Sequence, residues 1–380
     1  MVPFRVLRRL DGLARFIGPR RPQAARRSGV LIVSAGGLGD TLLFALVLPR
    51  LLALAEGDET ITVLVRSDAA KMAFLFPSTV RVLAVDFERL ARAGRYRLSI
   101  MARLRNAGFR LVVSADHLRH PHLDEALIRA CQAPEMLAME PRSWPKYDRA
   151  LAHNRELYTR LFDSGPARRD KVLRWTAFAD WLTGSTLAPP RIRLPEAQLA
   201  PPHRFPRPTI LIQPFASSPR KQSPAALYRR LMDALPDHDF VILGAPRDLD
   251  RCPEFRSLLD RARFDPSPLP ALVGLLRGAA LVISVDTAVM HLAVAVGART
   301  LCLASAAYVN EIVPYADETK PDNVLFLFAL MPCEGCLGAC PEAPVRGMYP
   351  CIARLDPGMV LSMVRSQLDI AREKDDEAVA

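Results

Sequence analysis

The chain has 380 residues, room for two domains of roughly 180 residues each, and its 50% hydrophobic and 24% charged content is ordinary globular composition. No apolar run approaches the roughly 18 residues needed to span a bilayer, so the expectation is a protein that is soluble or peripheral to a membrane. The net charge of +11 would suggest a nucleic-acid partner if it were spread over the body, but residues 1–29 carry eight arginines against the single acid Asp11, which leaves only +4 for the rest of the chain.

That arm (residues 1–28) comes first in chain order. Phe4, Leu7, Leu10, Ala14 and Ile17 recur at helical spacing among Arg5, Arg8, Arg9, Arg15, Arg20, Arg21, Arg26 and Arg27. A basic amphipathic helix lying on an anionic membrane and a solvated extension are both compatible with this pattern. No continuous apolar core follows the first charges, so a secretory signal is a poor fit. A first domain is expected over residues 29–186. Val30–Ser34 reads as a strand followed by Gly36-Gly37-Leu38-Gly39-Asp40, and a helical pattern follows from about Thr41 to Ala55. Further strand-like runs fall at Ile61–Val65, Val80–Val85 and Leu111–Ser114, and residues 120–182 read as mainly helical. Strands alternating with helices predict a parallel sheet covered on both faces. Residues 187–208 contain seven prolines, which suit neither a helix nor a central strand and mark an interdomain linker.

The alternation restarts over residues 209–370. Strands are expected at Thr209–Gln213, Phe240–Leu243, Leu281–Val285, Thr300–Leu303 and Val324–Phe328. Helices are expected at Pro224–Ala234, Leu269–Arg277 and Ala288–Val296. The fold class is therefore α/β, with two Rossmann-like domains in which ligands belong at the carboxyl ends of the strands.

Three segments fall at such ends. In the first, Gly37 and Gly39 let backbone approach a ligand closely, and Asp40 can either cap the following helix or accept a proton from a hydroxyl. In the second, Gln213 to Pro224, a small-residue loop with Ser217 leads to Lys221 beside a helix start, suited to a diphosphate or to a plain surface lysine. In the third, Asp286 ends a strand, Thr287 precedes Ala288 at a helix start, and His291 lies one turn further on.

Taken in order, these segments resemble glycosyltransferase family 9, the heptosyltransferases of lipopolysaccharide core assembly and their relatives, over roughly residues 29–365. The chain keeps Gly39-Asp40, keeps Lys221 and Pro224 with Ser223 where the family usually has Trp, and keeps Asp286, Thr287, His291 and Leu292 with Ala288 where Gly is usual. Ala304-Ser305-Ala306-Ala307 stands where the family has a Gly-Pro-Thr-like loop.

The resemblance implies the GT-B plan, with the two sheets facing a central cleft. It also implies inverting transfer of a heptose or related sugar from an ADP-activated or other nucleotide-sugar donor to a cell-envelope glycan or protein acceptor. Asp40 would be the general base, and Lys221 with the helix beginning at Thr287 would stabilise the departing diphosphate, with no cofactor for catalysis. Asp286 and His291 would bind the sugar or its phosphate, and Gly244 and Asp248 would lie where the family meets the nucleoside. Asp248-Leu249-Asp250 also has the form of a metal-binding pair. The alternatives are a catalytically inactive GT-B-like scaffold or binding protein, and a nucleotide-sugar epimerase on the same fold. The expected location is cytoplasmic, with peripheral inner-membrane contact through residues 1–28 and no nucleic-acid partner.

Seven cysteines remain. Cys131, Cys252 and Cys302 are isolated and read as buried thiols. Cys333, Cys336, Cys340 and Cys351 lie close together among glycines, the inventory of a structural Zn or Fe site. A branch of the family that modifies autotransporter proteins, with a cysteine-held iron, resembles this feature. His117, His120 and His122 form a smaller group, read as a loop near the acceptor side rather than as metal ligands. Trp144, Trp175 and Trp181 read as packing residues on helices.

Overall fold

Short runs of Val, Ile and Leu without polar alternation make strands that can be buried on both faces, as a parallel sheet requires. In a computed structural model, which describes residues 27–379 and the side chains of 27–370, β1 (Val30–Val33) has all four residues buried. It pairs in parallel with β2 (Ile61–Arg66) and β4 (Leu111–Ser114). With β3 (Arg81–Val85), β5 (Glu135–Met139) and β6 (Arg160–Phe162), the first sheet runs β3-β2-β1-β4-β5-β6. The arm's residues 1–26 lie outside the described residues.

A second compact unit begins at Pro189. Its strands are β7 (Thr209–Gln213), β8 (Asp239–Leu243), β9 (Ala262–Asp265), β10 (Leu281–Val285), β11 (Thr300–Leu303) and β12 (Val324–Leu327), in the order β12-β11-β10-β7-β8-β9. Counted from its own first strand, each sheet has the same six-strand order, the Rossmann order 3-2-1-4-5-6. The order reverses between β1 and β4 in one unit and between β7 and β10 in the other. Ligand crevices belong at the carboxyl ends of those pairs.

Each unit has its own core. Leu31, Val33, Leu64, Val112, Leu127 and Ile128 form one; Ile210, Ile212, Leu231, Ile283, Leu301 and Val360 belong to the other. Each such side chain contributes roughly 1.5–3 kcal/mol on burial, and the strand ends that carry the candidate residues are fixed by that packing.

Residues 120–182 depart from the mainly helical expectation, because β5 and β6 lie there, and β9 has no counterpart in the sequence reading. The proline-rich segment is not suspended between domains along its whole length. Leu194 N–H donates to Ala295 O at 2.7 Å and His203 N–H to Gly274 O at 2.9 Å. A Cβ on Gly278 would fall 2.0 Å from His203 O, so only glycine permits that approach. Prolines that cannot join a sheet thus still pack on the second unit.

Candidate active site

In the first unit, the turn after β1 delivers Asp40. Gly37 caps the helix Leu38–Leu51, which begins earlier than the pattern from Thr41 suggested, so Asp40 sits within its first turn. One carboxylate oxygen, Oδ2, accepts the Gly37 N–H at 2.9 Å. The other, Oδ1, meets Lys171 Nζ at 2.5 Å. Helix capping and a charged contact are therefore shared between the two oxygens of one side chain. A Cβ on Gly36 would lie 2.5 Å from the Asp40 Cβ, so the glycine turn is what lets Asp40 fold back over it. Gly39 lies inside the helix.

Two further groups join Asp40 in the first unit, and sequence reading missed both. Lys171 opens the helix Lys171–Thr183, whose cap Asp170 accepts the Leu173 N–H at 3.0 Å. Asp116, just past β4, accepts the Ala35 N–H at 2.5 Å and so ties the two sides of the switch point together. Burial, reinforced by the nearby Asp40 charge, pushes the Asp116 carboxyl up to about 6, against the Ala35 hydrogen bond and the Lys171 and Arg119 charges. A lysine 131 positions from its partner leaves no local sequence signal.

The histidines follow β4. Burial, with Arg174, Arg119, Arg142 and Lys171 around it, holds His117 neutral at about 3. The His120 ring packs 4.6 Å from Tyr147 and 5.7 Å from Trp144, centroid to centroid. Trp144 is in a loop rather than on a helix. Trp175 and Trp181 are helical as expected, with Trp175 Nε1–H donating to Ala115 O at 2.7 Å.

In the second unit, Lys221 ends the short turn Pro219–Lys221 and reaches across the β7–β10 switch point. Its Nζ lies 2.6 Å from Asp286 Oδ2 and 4.5 Å from the centroid of the Tyr308 ring. Burial works against its charge, but the Asp286 carboxylate more than offsets this and holds Lys221 above its ordinary value. His291 is buried, with Nδ1 at 2.5 Å from the Tyr315 hydroxyl and Nε2 at 4.0 Å from Asp286 Oδ1. Asp286 therefore stands between a lysine and a histidine.

Thr287 precedes the helix Ala288–Ala295 with extended backbone, and its side chain makes no capping hydrogen bond to it. Its hydroxyl sits 3.5 Å from Ser284 Oγ. First-turn N–H groups with no side-chain cap, next to a lysine, form a place where a phosphate can be received.

The remaining donor-side candidates have local roles. Ser217 is exposed in the loop after β7. Gly244 directly follows β8 and lies against two aromatic rings, since a Cβ there would come within 2.8 Å of Phe215 and 2.9 Å of Phe264. Asp248 Oδ2 accepts the Ala245 N–H at 2.7 Å, and Asp250 pairs with Arg256 at 2.5 Å. The carboxylates of the Asp-x-Asp pair thus have separate partners.

Of the four C-terminal cysteines, three are brought together. The sulfurs of Cys333, Cys336 and Cys340 all lie within 4.8 Å of one another, and no other such group of potential ligands occurs among the described residues. Cys351 is a correction to the expected four: it is buried in the helix Pro350–Ala353, packed in the second unit's core and outside that group. Three mutually close soft donors suit Zn or Fe, while a fourth ligand has to come from elsewhere.

A family model described as glycosyltransferase family 9 (heptosyltransferase) matches residues 147–321, which hold Lys171, Lys221, Asp286 and His291. No curated protein matches the chain. Among solved structures, the ADP-heptose lipopolysaccharide heptosyltransferase II of E. coli is 15% identical, with TM-score 0.64, over 90% of this chain and 98% of that one. E. coli heptosyltransferase WaaC with ADP-2-deoxy-2-fluoro heptose is 18% identical, with TM-score 0.62, over 89% and 99%. The dodecameric iron-containing heptosyltransferase TibC of enterotoxigenic E. coli, in complex with ADP-D-beta-D-heptose, is 14% identical, with TM-score 0.53, over 93% and 82%. At such identities the likeness is one of fold, and that fold is GT-B. With the family model on residues 147–321 and two Rossmann-ordered units, the chain is similar to the glycosyltransferases of family 9.

Proposed function

We propose that the protein transfers a heptose or related sugar, with inversion, from an ADP-activated or other nucleotide-sugar donor to a glycan or protein of the cell envelope. The observation that carries this reading is Lys221, held charged by Asp286 beside a helix start with no side-chain cap at the β7–β10 switch point. A nucleoside diphosphate leaving group gains negative charge as the bond from the anomeric carbon to its oxygen breaks. A fixed ammonium and first-turn N–H groups stabilise that charge without reorganising. Asp40 takes the proton from the acceptor hydroxyl as its oxygen attacks the anomeric carbon. Lys171 holds the carboxylate in place meanwhile. Asp286 and His291 bind the sugar or its phosphate. The solved structures of WaaC with ADP and with a fluorinated ADP-heptose support an adenine-nucleotide donor by likeness of fold.

Cys333, Cys336 and Cys340 would hold a Zn or Fe ion, which would pin the segment carrying them. The basic arm would bring the chain to an anionic membrane surface. Among the described residues no helix is long and apolar enough to cross a membrane.

Turnover of ADP-heptose against an envelope glycan acceptor tests the assignment. Asp40→Ala should lose roughly 10²–10⁴ in kcat, as loss of a general base does. Lys221→Ala should lose about 10²–10³. Full activity in both folded variants would remove the mechanism.

A further inference from the structure

The cysteine-bearing segment supplies no group to the proposed sugar transfer, yet its contacts run to the residues around Lys221. After β11 the chain makes a tight turn at Ala306–Tyr308. Gly335 N–H donates to Ala306 O at 2.9 Å, and Leu337 N–H donates to Ala307 O at 2.7 Å. From the segment's far end, Tyr349 N–H donates at 2.8 Å to the carbonyl of Arg220, the residue before Lys221. The Tyr349 hydroxyl donates to Gly338 O at 3.3 Å. Gly338 has φ +84°, and a Cβ there would lie 3.1 Å from the Tyr308 hydroxyl, so this turn abuts Tyr308. The Tyr308 ring faces the Lys221 ammonium at 4.5 Å. The same turn carries Cys336, one of the three sulfurs of the triad, between Gly335 and Gly338.

A diphosphate-binding lysine faces a conflict: the carboxylate that keeps it charged also competes with the phosphate for it. An aromatic face holds an ammonium by its quadrupole without neutralising it, and so offers a second support that the phosphate need not displace. We propose that residues 333–351 are the positioning element of the donor site: the cysteine turn fixes Tyr308, Tyr308 holds Lys221, and disturbing the cysteines weakens binding of a nucleoside diphosphate. This rests on Lys221 being the diphosphate-binding residue. Tyr308 acts through Lys221 and is a positioning residue.

Calorimetric titration of ADP into the full chain tests it, beside Tyr308→Phe, Tyr308→Leu and Cys336→Ser, each checked for folding by circular dichroism. Tyr308→Phe keeps the ring and should bind within about threefold of wild type, whereas Tyr308→Leu should bind roughly tenfold more weakly. In turnover, Tyr308→Leu should raise the donor KM and lower kcat by less than Lys221→Ala does, and Tyr308→Phe should restore both, a rescue that general loosening of the fold does not produce. Cys336→Ser should weaken ADP in the same direction.

Coupling is reciprocal, so saturating ADP should slow iodoacetamide labelling of the triad in wild type and not in Tyr308→Leu. That measurement stands even if Cys336→Ser does not fold. Tyr308→Leu binding ADP as tightly as wild type, or Tyr308→Phe binding as weakly as Tyr308→Leu, overturns the inference and leaves the proposed function intact. Wild type that binds no nucleoside diphosphate overturns both.

Discussion

Asp124 shows how much one buried carboxyl can set. It opens the helix Asp124–Cys131, is 7% exposed, and accepts the His120 N–H at 2.6 Å. Burial pushes its carboxyl from 3.8 up to about 7, a shift that outweighs the His120 hydrogen bond and is aided by the Asp116 and Glu125 charges. An acid whose folded value is raised keeps its proton in the native state while the unfolded chain loses it. Stability therefore falls as pH rises from about 4 to about 7 and levels off beyond. At about 1.4 kcal/mol per pKa unit the loss is on the order of a few kcal/mol, less the roughly 0.3–1 kcal/mol that a carboxylate gains at a helix start. Asp124→Asn keeps an acceptor for His120 and does not titrate. In urea unfolding it should match wild type near pH 4 and be more stable by a few kcal/mol at pH 8. A gap that does not change with pH would show that Asp124 is charged in the fold.

At the scale of elements, the cysteine segment carries its own expectation. A metal held by Cys333, Cys336 and Cys340 binds the folded chain and not the unfolded one, so it adds stability by mass action. Protein purified without chelator should contain about one equivalent of Zn or Fe. A strong chelator should lower the melting temperature by several degrees, and Cys333→Ser/Cys340→Ser should abolish both the metal and the chelator effect. Metal-free protein whose melting is indifferent to chelator would reduce the triad to three thiols.

The same scale shows what could be read in advance. β1, β4, β7, β10 and β11 are short runs rich in Val, Ile and Leu, and their positions followed from that alone. β5 is Glu-Met-Leu-Ala-Met, built from residues that favour helices; only pairing with β4 and β6 makes it a strand. β6 has three residues and β9 reads Ala-Arg-Phe-Asp, too short or too polar to declare a sheet by pattern. The candidate site divides in the same way. Asp40, Lys221, Asp286 and His291 lie beside glycines, strand ends and helix starts that mark them locally. Lys171, Asp116 and Tyr308 owe their places to long-range packing, and Cys351 is buried inside the core that Cys333 and Cys340 only border.

For the whole molecule, charge is the property the fold leaves unbalanced. Many arginines of the body are already committed: Arg110 to Glu59, Arg119 to Glu125 and Arg229 to Asp260. Residues 1–26 hold seven arginines against one acid, so deleting them takes the chain from +11 to +5. Each basic side chain near an anionic leaflet contributes about 1 kcal/mol, and the attraction fades beyond a Debye length of about 8 Å at physiological salt. The full chain should therefore sediment with phosphatidylserine-containing vesicles at low salt and release from them as salt is raised. It should ignore phosphatidylcholine vesicles. Deleting residues 1–26 should remove the binding while leaving donor turnover on a soluble acceptor unchanged, because Asp40, Lys171, Lys221 and Asp286 all lie downstream. If the shortened chain sediments as well as the full one, the body's own surface carries the attraction and the arm has another purpose.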